Sequence, residues 1–244
     1  MKNLQLLFIA FISLFITSCQ FTEEITFNKN GSGKYNLKVD MSTMLKGMGS
    51  MKNDSIEKEP EKMDSIIYFK DILEMKKDSI SKLSDEEKAI IKALKDLKMH
   101  IHMDEEKEEM IMDYMMDFKD ISQINGIQQK IEKAQQLQEN KGKAKENITD
   151  NEVNYFYSKN KFVRKVIMKD LTDEEKEKVA QDKEQFDMFL SGSMYKLIYN
   201  FPKKIKKVSY PDVQYSEDHK SLTIIVPMDS LTKNPKLLDF EVDF

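Results

Sequence analysis

A chain of 244 residues with 39 basic and 43 acidic side chains has a net charge of −4, and the two signs are interspersed. That balance excludes the broad basic footprint of a nucleic-acid binder. The single cysteine excludes an intramolecular disulfide, so the fold rests on packing in a core that this length can supply.

The amino end is the most informative stretch. Lys2 and the terminal amine are positive, and Leu4 to Ile16 is then apolar except for Gln5 and Ser13. That run is shorter than the ~20 residues needed to span a bilayer. A charged start, a short apolar stretch and small residues at its exit read as a secretory signal peptide over 1–18. Ile16-Thr17-Ser18-Cys19 also matches a lipobox, with an aliphatic residue, two small residues and the cysteine. The expectation is cleavage before Cys19 and a thioether-linked diacylglycerol on its sulfur. One acyl chain holds marginally at ~0.8 kcal/mol per buried CH₂, whereas two or three anchor firmly. The opposing reading, an ordinary signal with a free thiol, leaves an unpaired cysteine in an oxidising compartment.

Residues 19–244 read as one lipid-anchored domain. Ile25 and Phe27 alternate with polar residues, Asn30-Gly31-Ser32-Gly33 turns the chain, and Tyr35, Leu37, Val39 and Met41 resume the alternation. This predicts a hairpin with one dry face. A charged, glycine-containing stretch near 47–62 predicts a flexible loop. Helical spacing follows at Ile66, Phe69, Leu73 and Ile80, then at Ile90, Leu94 and Leu97, with Ser84 and Glu87 forming a capping box. Met99, Ile101 and Met103 alternate with His100 and His102, and Met110 to Phe118 repeats the period of two beyond an acidic turn. Ile121, Ile124, Ile127, Ile131, Ala134 and Leu137 form a narrow helical stripe, followed by a polar loop near 139–151.

Val153–Tyr157 and Phe162–Met168 predict a further hairpin, and Thr172 and Glu175 start another helix, to about Leu190. Tyr195–Phe201, Leu222–Met228 and Leu238–Phe244 alternate again. The sum is α+β: a mainly antiparallel sheet of about nine strands with about four helices packed on one face.

From Cys19 to Met41, the lipobox, the EITF strand, the GSG turn and the strand KYNLKVDMS resemble uncharacterised lipoproteins common in Bacteroidetes. The hairpin is similar to the start of the domain called LppM-like. The resemblance implies an envelope lipoprotein of α+β fold, and with the lipobox the expected location is the cell envelope, at the outer membrane, tethered through acylated Cys19. It brings no catalytic residue, and by analogy it suggests a lipid- or glycolipid-handling role.

Other constellations are weighed against plainer readings. His100 and His102 point to one side of a strand and could hold a transition metal if further donors converge. The nearby methionines belong to the opposite face and read as core packing, so no metal ligand is assigned. A thiol nucleophile is excluded by acylation of Cys19, and His219 lies in a turn-like SEDHKS segment without a nucleophile-elbow pattern. GSG sits in a hairpin and lacks the following helix of a phosphate loop. Lys203-Lys204-Ile205-Lys206-Lys207 is a basic cluster that could touch anionic headgroups, or be a solvated loop. The expectation is a non-enzymatic module without a cofactor, binding or scaffolding a lipid or envelope protein at the membrane surface. The alternative is a carrier holding a lipid or glycolipid between sheet and helices.

Overall fold

The computed structural model describes residues 20–43, 45–46, 61–139, 151–177, 179, 190 and 192–244. Twelve strands make two sheets. Eight belong to the larger: β1 (Gln20–Phe27), β2 (Gly33–Asp40), β3 (Lys62–Tyr68), β4 (Leu97–Asp104), β5 (Glu109–Phe118), β8 (Met194–Asn200), β10 (Gln214–Tyr215) and β11 (Ser221–Pro227). Their spatial order is β10-β11-β8-β1-β2-β5-β4-β3. The smaller sheet has β6 (Asn151–Tyr157), β7 (Lys161–Met168), β12 (Phe240–Asp243) and β9 (Lys207–Val208), in the order β6-β7-β12-β9. Every pairing is antiparallel except β1 with β8, which run parallel from Gln20↔Met194 to Thr26↔Asn200.

The α+β class and the antiparallel bias agree with the sequence, but the expected single sheet of nine strands does not. Alternation marks the dry face of each strand without saying which dry faces meet. The inner face of the large sheet is covered by a second sheet as well as by helix, and five helices are fully described where about four were expected in the whole chain. These are α1 (Phe69–Met75), α2 (Lys77–Ser81), α3 (Asp85–Ala93), α4 (Ile127–Glu139) and α5 (Met228–Lys233). The Ser84–Glu87 box caps α3, with bonds of 2.8 and 3.2 Å. The Thr172–Glu175 box is formed too, but the expected helix beyond it lies largely outside the described residues. Most of the expected loops near 47–62 and 139–151 lies outside them as well.

One reading is overturned at 62–68. Lys62–Tyr68 is not loop and helix but the edge strand β3, paired to β4 from Lys62↔Asp104 to Tyr68↔Lys98. It is exposed along nearly its whole length, so it carries no apolar alternation to betray it. Ile66 belongs to this strand, and helix begins only at Phe69.

The core lies between the two sheets. Ile25, Phe27, Tyr35, Leu197, Tyr199 and Leu222 face inward from the large sheet, and Phe162, Val166, Phe240 and Val242 from the small one. Phe162 joins the layers, with its ring centroid 5.6 Å from Phe27 and 5.3 Å from Tyr199. The β1–β2 turn depends on its glycines. Gly31 has φ +85°, and a Cβ at Gly33 would lie 2.2 Å from the Thr26 carbonyl oxygen.

Candidate functional site

Cys19, the expected lipid acceptor, lies outside the described residues; Gln20, the next residue, already pairs with Asp40 and Met194. His100 and His102 stand on the outer face of the large sheet, opposite the half-buried Met99 and Met103. The carboxylate of Asp64, on β3, lies 2.7 Å from His100 Nε2 and 3.4 Å from His102 Nδ1. Glu109 comes within 3.4 Å of His102 Nε2, and Asp113 within 3.9 Å of His100 Nδ1. Hydrogen bonds from His100 first, then His102, hold the Asp64 carboxyl below its usual range. Among the described residues no group of three or more His, Cys, Asp or Glu side chains is placed to hold a metal ion.

The imidazole–Asp64 pairs are exposed, and such pairs contribute little to stability. Replacing both histidines (His100→Ala with His102→Ala) is therefore expected to move the melting midpoint by no more than about 3 °C. Elemental analysis of the purified wild type should find no stoichiometric metal. A metal that disappears in the double variant would overturn this reading.

His219 lies in a turn with φ +55° and stacks on Tyr215 at 5.4 Å. The Lys203–Lys207 cluster does not form one surface. Ile205 is buried, Lys206 Nζ donates to the Phe244 carbonyl oxygen at 2.9 Å, and Lys207 opens β9.

The most unusual chemistry was not anticipated. Glu23 is fully buried between the sheets. Its Oε1 accepts from the hydroxyls of Tyr155 (2.7 Å) and Tyr199, and its Oε2 from Tyr195 (2.6 Å). Gln128 Nε2 on α4 adds a bond of 3.3 Å, and Arg164 Nη2 on β7 lies 3.8 Å away. Arg164 is itself buried and donates through Nη1 to the Leu238 carbonyl oxygen at 3.1 Å. Tyr35 Oη, beside Gln128, and Arg164 Nε make no hydrogen bond of ordinary geometry. Burial first, and the Glu23 charge second, push the phenols of Tyr35, Tyr155, Tyr195 and Tyr199 well above their usual range. Burial works against the Arg164 charge, but Glu23 and the tyrosine oxygens outweigh it.

A signal for this cluster exists in the sequence. Extending the Ile25, Phe27 alternation back by two residues puts Glu23 on the dry face. Phe162, Arg164 and Val166 share a phase in the same way. An ionisable residue in phase with core residues needs a buried partner. The carboxylate is already surrounded by donors from both sheets and α4, so the arrangement ties the layers together and leaves no oxygen open to a substrate.

Two open clefts are prominent, and neither is lined by the Glu23 cluster. One, of about 310 Å³, lies between hairpin tips and carries four lysines. The other, of about 220 Å³, lies beside α3 and α4. No helix among the described residues is long and apolar enough to cross a membrane. Comparison with family models, with curated proteins and with solved structures finds no match.

Proposed function

We propose that this chain is a bacterial envelope lipoprotein, tethered to the outer membrane through acylated Cys19. Its folded part is a non-enzymatic binding or scaffolding module at the membrane surface. The observation that carries the reading is the lipobox Ile16-Thr17-Ser18-Cys19 standing directly before an ordered strand that opens at Gln20. Processing before Cys19 would leave every described strand intact. The likeness of Cys19–Met41 to Bacteroidetes lipoproteins with an LppM-like hairpin belongs to the same proposal.

Packing favours a binding module over a lipid carrier. The space between the sheets is filled by rings, such as Phe27 stacked on Tyr157 at 4.3 Å and on Phe201 at 5.4 Å. The clefts open to solvent are lined largely by polar residues, a poor match to an acyl chain. A non-enzymatic role fits the chemistry, because the imidazoles pair with surface carboxylates and Glu23 is enclosed.

Cys19→Ser is expected to abolish incorporation of radiolabelled fatty acid and to leave the protein unprocessed or released from the membrane fraction. Wild-type protein without label, or a variant that stays labelled, would defeat the proposal.

A further inference from the structure

The 310 Å³ cleft is assembled by four separate segments, and each brings a lysine. Lys29 comes from the β1–β2 turn and Lys119 from the exit of β5. Lys159 comes from the β6–β7 turn and Lys203 from the loop after β8. The one carboxylate in the lining, Asp120, is engaged by the Ser122 backbone N–H at 2.9 Å and the Ser122 hydroxyl at 2.5 Å. Lys203 Nζ donates to the Lys159 carbonyl oxygen, a neutral partner. Among the described residues none of the four ammonium groups forms an ion pair.

At the opposite end of the strands the acidic turn between β4 and β5 is matched by cations: Lys46 with Glu108, Lys62 with Glu106 and Lys107 with Asp104. Three acids at that end are thus ion-paired, whereas among the described residues the four lysines of the cleft have no such partner. Four ammonium groups around one hollow, with a single carboxylate among them, repel each other and favour an anion between them.

An aromatic ring also lines the cleft. Tyr157 is half-buried, stacked on Phe27 and met edge-on by Phe244 at 5.9 Å. A ring held in this way offers an apolar surface beside the charges. β1 carries the chain from Gln20 to this end over eight residues, roughly 25 Å at ~3.3 Å per residue. A molecule tethered at Cys19 would therefore hold the cleft away from its own membrane.

We infer that this cleft binds a phosphoryl group carried on a small polar body, with Lys29, Lys119, Lys159 and Lys203 around the phosphate oxygens and Tyr157 beneath. Lysine suits this task as a point charge, without demanding the planar geometry of a guanidinium. The group could be a soluble phosphate ester or the headgroup of a facing lipid; the chemistry recognised is the same. The assignment deepens the binding-module reading and rests on it for its setting, but not for its test.

Full-length protein in non-ionic detergent is titrated calorimetrically with sodium pyrophosphate. One saturable site is expected, weakening as salt rises. Lys29→Ala with Lys119→Ala, two exposed side chains without described bonds, is expected to weaken it at least about tenfold, or 1.4 kcal/mol. Lys233→Ala with Lys236→Ala, which removes two charges elsewhere, is expected to change it less than about twofold. Vesicles of phosphatidylglycerol, compared with phosphatidylcholine, separate the sources. Pyrophosphate-blocked capture by the anionic vesicles alone marks a lipid headgroup, and pyrophosphate binding without capture marks a soluble ester. No saturable pyrophosphate site, or equal losses in both double variants, would overturn the assignment. Loss of the Cys19 label with pyrophosphate binding intact would remove the anchor proposal and leave this one standing.

Discussion

Deleting Leu238–Phe244 is expected to leave the protein unfolded or aggregated, although the segment is only the end of the chain. Termini fray unless a strand docks them, and here β12 is an inner strand of the small sheet, between β7 and β9. Leu238, Phe240 and Val242 are almost wholly buried, and Phe244 nearly so. At about 1.5–3 kcal/mol for each large apolar side chain, their loss matches most of a typical folding margin of about 5–15 kcal/mol. The deletion also strips backbone partners: Lys206 N–H from the Asp243 carbonyl oxygen, Ser209 N–H from that of Glu241, and Val166 N–H from the Asp239 carboxylate at 2.7 Å. Phe240→Asp alone should be severely destabilising, because it puts a carboxylate among Phe162, Tyr199 and Tyr210. Glu241→Gln is the control. Glu241 points to solvent and pairs with Lys161 at 2.7 Å, so its loss should be near neutral. Thermal melts decide the matter, and a truncated protein that melts with the full chain would show that β12 is dispensable.

Arg164→Met should cost about 3–5 kcal/mol, the usual result of stripping one partner from a buried pair. Methionine fills much of the volume, but the buried Glu23 side chain then has no cation beside it, and the Leu238 carbonyl oxygen loses its donor. Glu23→Gln should also destabilise, since it leaves Arg164 buried and uncompensated. The double variant, Glu23→Gln with Arg164→Met, should lose clearly less than the two single losses added together. Such coupling is the mark of a direct interaction and would not arise from two independent packing defects. Denaturant unfolding of the four proteins measures it. Additive losses would assign the damage to packing, and an Arg164→Met protein as stable as wild type would show that the pair does not hold the sheets.

How far the sequence could be read depended on whether a strand has one wet and one dry face. β1, β2, β5, β7, β8 and β11 do, and their alternation was plain. β3 has two open faces, so its order comes from pairing with β4, which no local pattern records. The missed strand carries Asp64, the side chain between His100 and His102. Without β3 the imidazoles could be placed but their partner could not. The lysine cleft was hidden for another reason: its four charges come from four turns far apart in sequence, and only Lys203 stood in a recognisable basic run. Glu23 was nearer to legible. Its phase was visible, but one of two adjacent acids near a strand start reads as solvent-facing until Tyr155, Tyr195, Tyr199 and Arg164 are seen to converge on it.

The parallel pairing of β1 with β8 bears on when the molecule can fold. Glu23 and Tyr195, joined by a hydrogen bond, are 172 residues apart in sequence. The first strand is thus an inner member of the sheet whose neighbour on one side comes from the last quarter of the chain. Pairings of such long separation carry a high loop-closure cost and form slowly. The β1–β2 hairpin can assemble early, but its second edge must wait. Until β8 has been made, that edge of β1 has no partner, so the large sheet closes only when the chain is nearly whole.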